Sequence, residues 1–507
     1  MYPTIPLLPR YRGIFLNSLY GTLLLLVVAF GAFWFPSLEI WLFCAVILGV
    51  VMLGFRDPVA PFFVLVAELI IGSQGHLLDV TLGGFTLSLR MGLFIVALIF
   101  GLAIYGKNSD LRNTTWKQLR DRRQVLFWGA VVCGMIAIGV ANGLLHGFPL
   151  QNIFSDVNNY FFLVLLFVVP AFLSLSERIQ QLLAVSIGAL STLWIQTMVF
   201  FMIFSHRIID FTTLYRFTRD TRLSEITIQE SEWARVFMQS HVFAMFFLLL
   251  GSVLLYTLWK SHHADRMLWT WVVFASATMV ILSFSRSFWA ALILTLGMLI
   301  IGSRVIRLSF RSALMTALIL GASMIGSILW LFLLIQLPIS GVSLSLDSVE
   351  DRATDIEGDI ALGSRFRLLS PLLQTIRTSP ILGTGFGTTV TYETLDQRHI
   401  NVSGNTSYTT FVFEWGYLDT ITEMGVAGLL AIVMLCLTLF LVLRRSIEHV
   451  DPLQKLFLAG LILSMISLAF IHALTPYLNH PLGIVWVILL TGISMLYAKT
   501  GPRNSTA

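Results

Sequence analysis

Apolar runs of roughly 17–25 residues recur from end to end of this chain, the length that crosses a bilayer core as an α-helix. That one feature excludes a soluble globule. Of 507 residues, 57% are hydrophobic and only 12% charged, and the mean hydropathy is +0.84. So little polar surface cannot cover the apolar remainder in water. The fold class is therefore all-α: a polytopic membrane helical bundle of about 14 transmembrane helices, with 12–14 as the range. The spans are read at roughly 14–34, 37–54, 59–73, 89–106, 125–145, 158–175, 182–204, 234–259, 267–284, 287–302, 313–337, 417–442, 454–473 and 481–498. The third and tenth are short for a full crossing. The first run is too long for a signal-peptide core and no A-x-A-like site follows it, so it reads as the first span.

Organisation follows from where the runs pause. Residues 1–204 form an N-terminal transmembrane region of about seven spans. Residues 205–337 hold a first arginine-bearing loop and the central spans, 338–411 a large loop, and 412–507 a C-terminal transmembrane region. Basic residues cluster at Arg10/Arg12, at 107–124, at Lys260 to Arg266, at Arg304/Arg307/Arg311 and at Arg444/Arg445. With fourteen spans these clusters share one side, which the positive-inside rule makes the cytoplasm, along with both termini. All five lysines, Lys107, Lys117, Lys260, Lys455 and Lys499, fall there too. The net charge of +5 thus reflects topology, not nucleic-acid binding. Cys44, Cys133 and Cys436 each lie inside an apolar run without CxxC or Cys/His spacing, which argues against disulfides and a cysteine metal site.

The opposite, outer face carries two long polar segments without lysine but rich in arginine: Arg207, Arg216, Arg219 and Arg222 in the first, Arg352, Arg365, Arg367, Arg377 and Arg398 in the second. Arginine presents a rigid fork matched to phosphate oxygens, whereas lysine is a mobile point charge. The pattern points to oxyanion recognition; local pairing with acids such as Asp220 and Glu225 is the plainer alternative.

Three constellations could carry chemistry. SFSRSFW (283–289) joins two apolar runs, and Arg286 is the one charged side chain between Met267 and Ser303. A short turn makes the runs a hairpin with Arg286 at its outward tip. It either snorkels beside Trp289 or acts as a functional ion at membrane depth, with Ser285 and Ser287 as extra donors. GSRFRLLSPLLQTIRTSPILGTGFG (363–387) places Phe366, Leu368, Leu369, Leu372, Leu373 and Ile376 at helical spacing. This predicts an amphipathic helix capped by Ser364, kinked or shifted by Pro371, ended by Pro380 and followed by a glycine turn. NTSYTTFVFEWGYLDTITEMGVAGLL (405–430) carries Glu414, Asp419 and Glu423 at the head of a helix, with Asp419 and Glu423 on nearly one face. The three either complement the helix dipole or supply a general base.

Other polar features have plainer readings. The acidic run 344–359 reads as solvated loop, with a calcium site as the minor alternative. Glu68 pairs with Arg90 or a polar neighbour, or is functional. His472 and His480 read as satisfied interfacial histidines.

In order, a Ser-Arg-Ser hairpin, an arginine-bearing loop with an amphipathic segment, Pro-x-Leu-Gly-x-Gly-x-Gly (Pro380 to Gly387), Tyr-Leu (Tyr417, Leu418) and Glu-x-Gly-x-x-Gly (Glu423 to Gly428) resemble the O-antigen polymerase/ligase superfamily. The likeness covers roughly residues 205–445 and rests on order and spacing, since no single motif is highly specific. It implies a bacterial membrane glycosyltransferase with a glycosyltransferase-C-like fold, no metal or other cofactor, and a site on the outer face of the cytoplasmic membrane. The implied partners are a polyprenyl-diphosphate-linked glycan donor, a glycan or lipid acceptor, membrane lipid and polysaccharide-export components; nucleic acid is not among them.

Carried over, the hairpin arginine is Arg286 and the loop-helix arginine Arg365. The arginine before the eighth span corresponds best to Arg222, then to Arg219 or Arg216. Arg367, Arg377, Ser285, Ser287 and Tyr417 complete the expected donor-binding set. One departure matters: where many relatives have histidine then asparagine ahead of Tyr-Leu, this chain has Glu414 then Trp415. Glu414 is thus the expected base, with His399, His472 and His480 behind it. The departure favours a polysaccharide polymerase over a ligase. A non-enzymatic transporter of a lipid-linked or anionic solute, or a non-catalytic assembly or lipid-binding protein, are the other readings.

Overall fold

The computed structural model describes residues 10–82, 85–107, 123–208, 212–228, 233–337, 360–394, 400 and 404–497. The acidic run 344–359, Arg352, Arg398, His399, Lys117 and Lys499 lie outside the described residues.

Ten described helices are long and apolar enough to cross a membrane. They are α1 (Arg12–Trp34), α2 (Glu39–Arg56, led by a 3-10 turn at Pro36–Leu38), α4 (Leu89–Lys107), α5 (Arg123–Leu145) and α8 (Ser176–His206); then α10 (His241–Lys260), α11 (Arg266–Ser283), α13 (Phe310–Ile335), α15 (Gly416–Ser446) and α16 (Pro452–Leu474). Without water to accept stray backbone bonds, closed helical ladders are the stable solution for such runs. Three shorter apolar helices join them: α3 (Ala60–Ile71), α12 (Arg286–Ile301) and α17 (Pro481–Tyr497). The chain is an all-α, multi-pass membrane protein.

The inner helices are α10, α16, α8 and the short α17, each with most of its residues buried. Helices α1, α2 and α13 expose most of their apolar surface, as a lipid-facing ring does. Small residues set the closest approaches. A side chain at Gly460 would run into the Leu250 backbone, and one at Gly188 into the carbonyl of Phe15.

Three expectations need correction. The sixth span is no continuous α-helix: α6 (Leu150–Asn158) passes into a 3-10 stretch at Asn159–Phe167 and then a single turn, α7 (Val169–Phe172). The change to 3-10 precedes Pro170, which sits at the start of α7 and, lacking an amide to bond the Leu166 carbonyl, keeps α7 separate from the 3-10 stretch. The eighth span starts at His241, not 234, because Ala234–Phe237 (β4) pairs antiparallel with Glu225–Ile228 (β3) beyond α9 (Thr212–Asp220). Ser364 caps nothing: α14 runs Ile360–Thr378, with Ser364 and Pro371 inside it. Two further antiparallel ribbons pair β1 (Asp79–Leu82) with β2 (Phe85–Ser88), and β5 (Val390–Glu393) with β6 (Ser407–Thr410).

Candidate active site

The SFSRSFW turn is a tight hairpin. Phe284 ends α11 in the left-handed region (φ 48°), Ser285 is extended, and Arg286 is the first residue of α12. Ser285 and Ser287 are buried and share a 2.9 Å hydrogen bond, and Thr475 donates to Ser287 at 3.4 Å. The serines thus build the turn, while half-buried Arg286 stands at its tip.

A second arginine reaches that tip. Arg235 of β4 donates from Nε to the Ser283 carbonyl at 2.8 Å, its guanidinium 5.2 Å from the Phe237 ring centre. The sequence reading missed it because residue 234 was taken as the start of a span; the polar Gln-Ser-His that follows was the available signal. Arg216, Arg219 and Arg222 are exposed, and Arg219 pairs with Asp220 at 2.8 Å.

The amphipathic helix docks as expected on one stripe. Leu368 and Leu372 bury against Val390 and Phe413 in a small core of their own, while Phe366 stays 55% exposed. This core brings residues 365 and 414 together: Trp415 Nε1 donates to the Arg365 carbonyl at 3.1 Å, and Arg365 forms an ion pair with Glu414. Arg367 and Arg377 point to solvent. Tyr417 donates to the Ala469 carbonyl at 2.8 Å and lies edge-on to His472.

The two glycine motifs turn out to be one structure. Gly425 breaks α15 with φ 69° and ψ −177°, a conformation reserved for glycine. In an unbroken helix Val426 and Ala427 would donate to Thr422 and Glu423. Instead they donate to the carbonyls of Pro380 (2.9 Å) and Ile381 (3.1 Å), while Thr384 N–H takes the vacated Thr422 carbonyl at 2.8 Å. The Pro-x-Leu-Gly turn is thus spliced into the helix break. Gly139 and Gly143 of α5 let it seat: Phe386 N–H donates to Gly139, and a side chain at Gly143 would strike the Phe386 backbone.

Below this splice lies a buried carboxylate cluster. Asp419 accepts from Asn479 Nδ2 at 2.9 Å, and Thr420 donates to Asn479 Oδ1 at 3.0 Å. Glu423 accepts from Tyr160 at 3.0 Å. Asp156 of α6 accepts from Gly387 N–H at 2.8 Å and lies within electrostatic reach of both acids. Asn479, Tyr160 and Asp156 were not expected from the sequence. Glu68 and Arg90 form a bidentate pair (2.8 and 3.2 Å) with side chains 0% and 3% exposed, so Glu68 takes the paired alternative.

The 475–480 turn joins these parts at one end of the bundle. Thr475 touches the hairpin, Tyr477 donates to the Gln239 carbonyl (3.0 Å), Leu478 N–H donates to His472 (3.1 Å), and Asn479 holds Asp419.

Fold and site define a class: a multi-pass membrane protein in which the 475–480 turn links the Arg286 hairpin to the acid-bearing head of α15. A family model described as O-antigen ligase matches residues 271–433, from within α11 through the hairpin, α14 and the splice into α15. The match over that segment supports an O-antigen polymerase/ligase superfamily membrane protein, and with it a ligase- or polymerase-type membrane glycosyltransferase. Comparison with curated proteins gives no match.

Proposed function

We propose that the protein transfers a glycan from a polyprenyl diphosphate to an acceptor sugar hydroxyl at the outer face of the bacterial cytoplasmic membrane. The observation that carries this reading is Arg286 at the tip of an apolar hairpin, with Arg235 bonded to the same tip. A lipid-anchored diphosphate presents its charge at that depth. When the anomeric C–O bond breaks, its electron pair leaves with the diphosphate. Preorganised guanidinium groups stabilise that developing charge. Arg365 lies on the helix that docks beside the head of α15, next to the expected base Glu414, which would take the acceptor's proton as its oxygen bonds the anomeric carbon. An apolar groove of about 290 Å³ between α15 and α16, lined by Tyr417, Cys436, Phe440, Met465 and Leu478, is suited to isoprene units of the donor.

Glutamate in place of histidine favours chain polymerisation, while the matched family description favours ligation to another acceptor. The lipid-linked glycan that accumulates when the protein is absent separates them: single repeat units mean polymerase, full-length chains mean ligase. The reading as a whole is tested with Arg286→Ala and Arg286→Lys in cells that make the polymer. Loss of one such donor costs about 10²–10³ in turnover, and lysine, which keeps charge but not the fork, should retain part of it. Full-length product from the alanine variant at the normal rate refutes the assignment.

A further inference from the structure

The pairing of Arg365 with Glu414 carries more than proximity. Two groups assigned to donor binding and to proton transfer neutralise one another in this structure. We propose that Glu414 is a carboxylate latch on the donor's phosphate subsite: it occupies Arg365 until the diphosphate displaces it, and that displacement frees it to act as base. This rests on the function proposed above.

Three observations support the latch. First, the pair is held in register. The small core of Leu368, Leu372, Val390 and Phe413 locks α14 to the segment before α15. The Trp415-to-Arg365 hydrogen bond and the ring contact of Phe366 with Trp415 (6.0 Å) fix the residue next to Glu414. Second, the pair is exchangeable. The side chains are 31% and 50% exposed, so water and a ligand reach both; the buried Glu68–Arg90 pair at 0% and 3% shows what a permanent bridge looks like here. Third, carboxylate and phosphate make the same demand on a guanidinium fork, but a diphosphate brings more charge and more oxygens. A carboxylate gripped by a guanidinium is also a reluctant proton acceptor. Moving Arg365 onto the donor therefore strengthens the base only when there is a donor to attack. A neutral histidine at position 414 could accept a hydrogen bond from Arg365 but could not neutralise its charge, so the ion-pair latch accompanies the departure to glutamate.

The test uses the full-length protein in lipid nanodiscs, titrated with undecaprenyl diphosphate alone, followed by turnover with a lipid-linked glycan. Removing a competing, partly exposed ion pair should tighten binding about two- to fivefold in Glu414→Gln. Turnover at saturating donor should fall in the same variant. Glu414→Ala serves as the second variant, and unchanged thermal midpoints show that both fold. Binding that is unchanged or weaker in both variants, with wild type still binding, overturns the latch and leaves the proposed function standing. No binding by wild type overturns both.

Discussion

Replacing Gly425 with alanine should unseat the splice between the glycine turn and α15. The added Cβ would lie 2.0 Å from the Ile381 carbonyl oxygen and 2.2 Å from its carbon, in a backbone conformation that alanine resists. Strain of that kind costs on the order of 1–3 kcal/mol. Relief requires the 380–384 segment to withdraw, which breaks the bonds from Val426, Ala427 and Thr384. At about 0.5–1.5 kcal/mol net each, the total with the strain comes to roughly 2.5–7.5 kcal/mol. Thermal unfolding in detergent should then fall by on the order of 5 °C for a chain of this size. Gly404→Ala is the control, because Gly404 also has positive φ (73°) but nothing within 4 Å of the added carbon. It should lose only about 1 kcal/mol. If the two variants melt within a degree of each other, the close approach is not what the splice depends on.

Two further outcomes follow from buried charge. Arg90→Ala leaves Glu68 buried without its partner and should cost about 3–5 kcal/mol, most of it recovered in a Glu68→Gln/Arg90→Met double variant; equal melting of single and double variants would refute the pairing argument. Asp156→Asn keeps a side-chain oxygen to accept from Gly387 N–H, whereas Asp156→Leu leaves that amide without its partner. The leucine variant should lose about 1–3 kcal/mol more than the asparagine variant; equal melting of the two would contradict the anchoring of the glycine turn by Asp156.

The spans were legible because the bilayer imposes one length and one solution on apolar runs. The exceptions are local. The apolar run at 159–172 winds as 3-10 and then a single turn opened at Pro170, which hydropathy alone does not distinguish from a helix, and Arg235 vanished into an apolar run because a four-residue strand has the same composition as the end of a span. The amphipathic stripe through Leu368 and Leu372 was readable from spacing, but its start was not: α14 begins before Ser364, so the serine never meets a free helix end. The hydrogen-bond exchange at Gly425 had no local signature, since its partners lie some 40 residues upstream. Only the co-occurrence of two glycine motifs hinted at it. Asp419 and Glu423 were correctly placed on one face, yet their partners Asn479 and Tyr160 come from distant segments with no pattern of their own.

Those partners bear on where the site ends. The matched family segment supplies Arg286, Arg365, Glu414, the splice and both buried acids of α15. Inside it, the core of Leu368, Leu372, Val390 and Phe413 brings Arg365 to Glu414; further supports come from outside it: Gly139 and Gly143 seat the turn, Asp156 bonds Gly387, Tyr160 holds Glu423, Arg235 grips the hairpin, and Asn479 holds Asp419. The turn from Thr475 to His480 is the joint, because it touches the hairpin through Ser287 and the acids through Asn479 at once. A shift of either last span would move arginine and acid relative to each other without altering any residue of the family segment. The six-residue turn therefore ties the hairpin that carries Arg286 to the head of α15, where Asp419 lies five residues after Glu414.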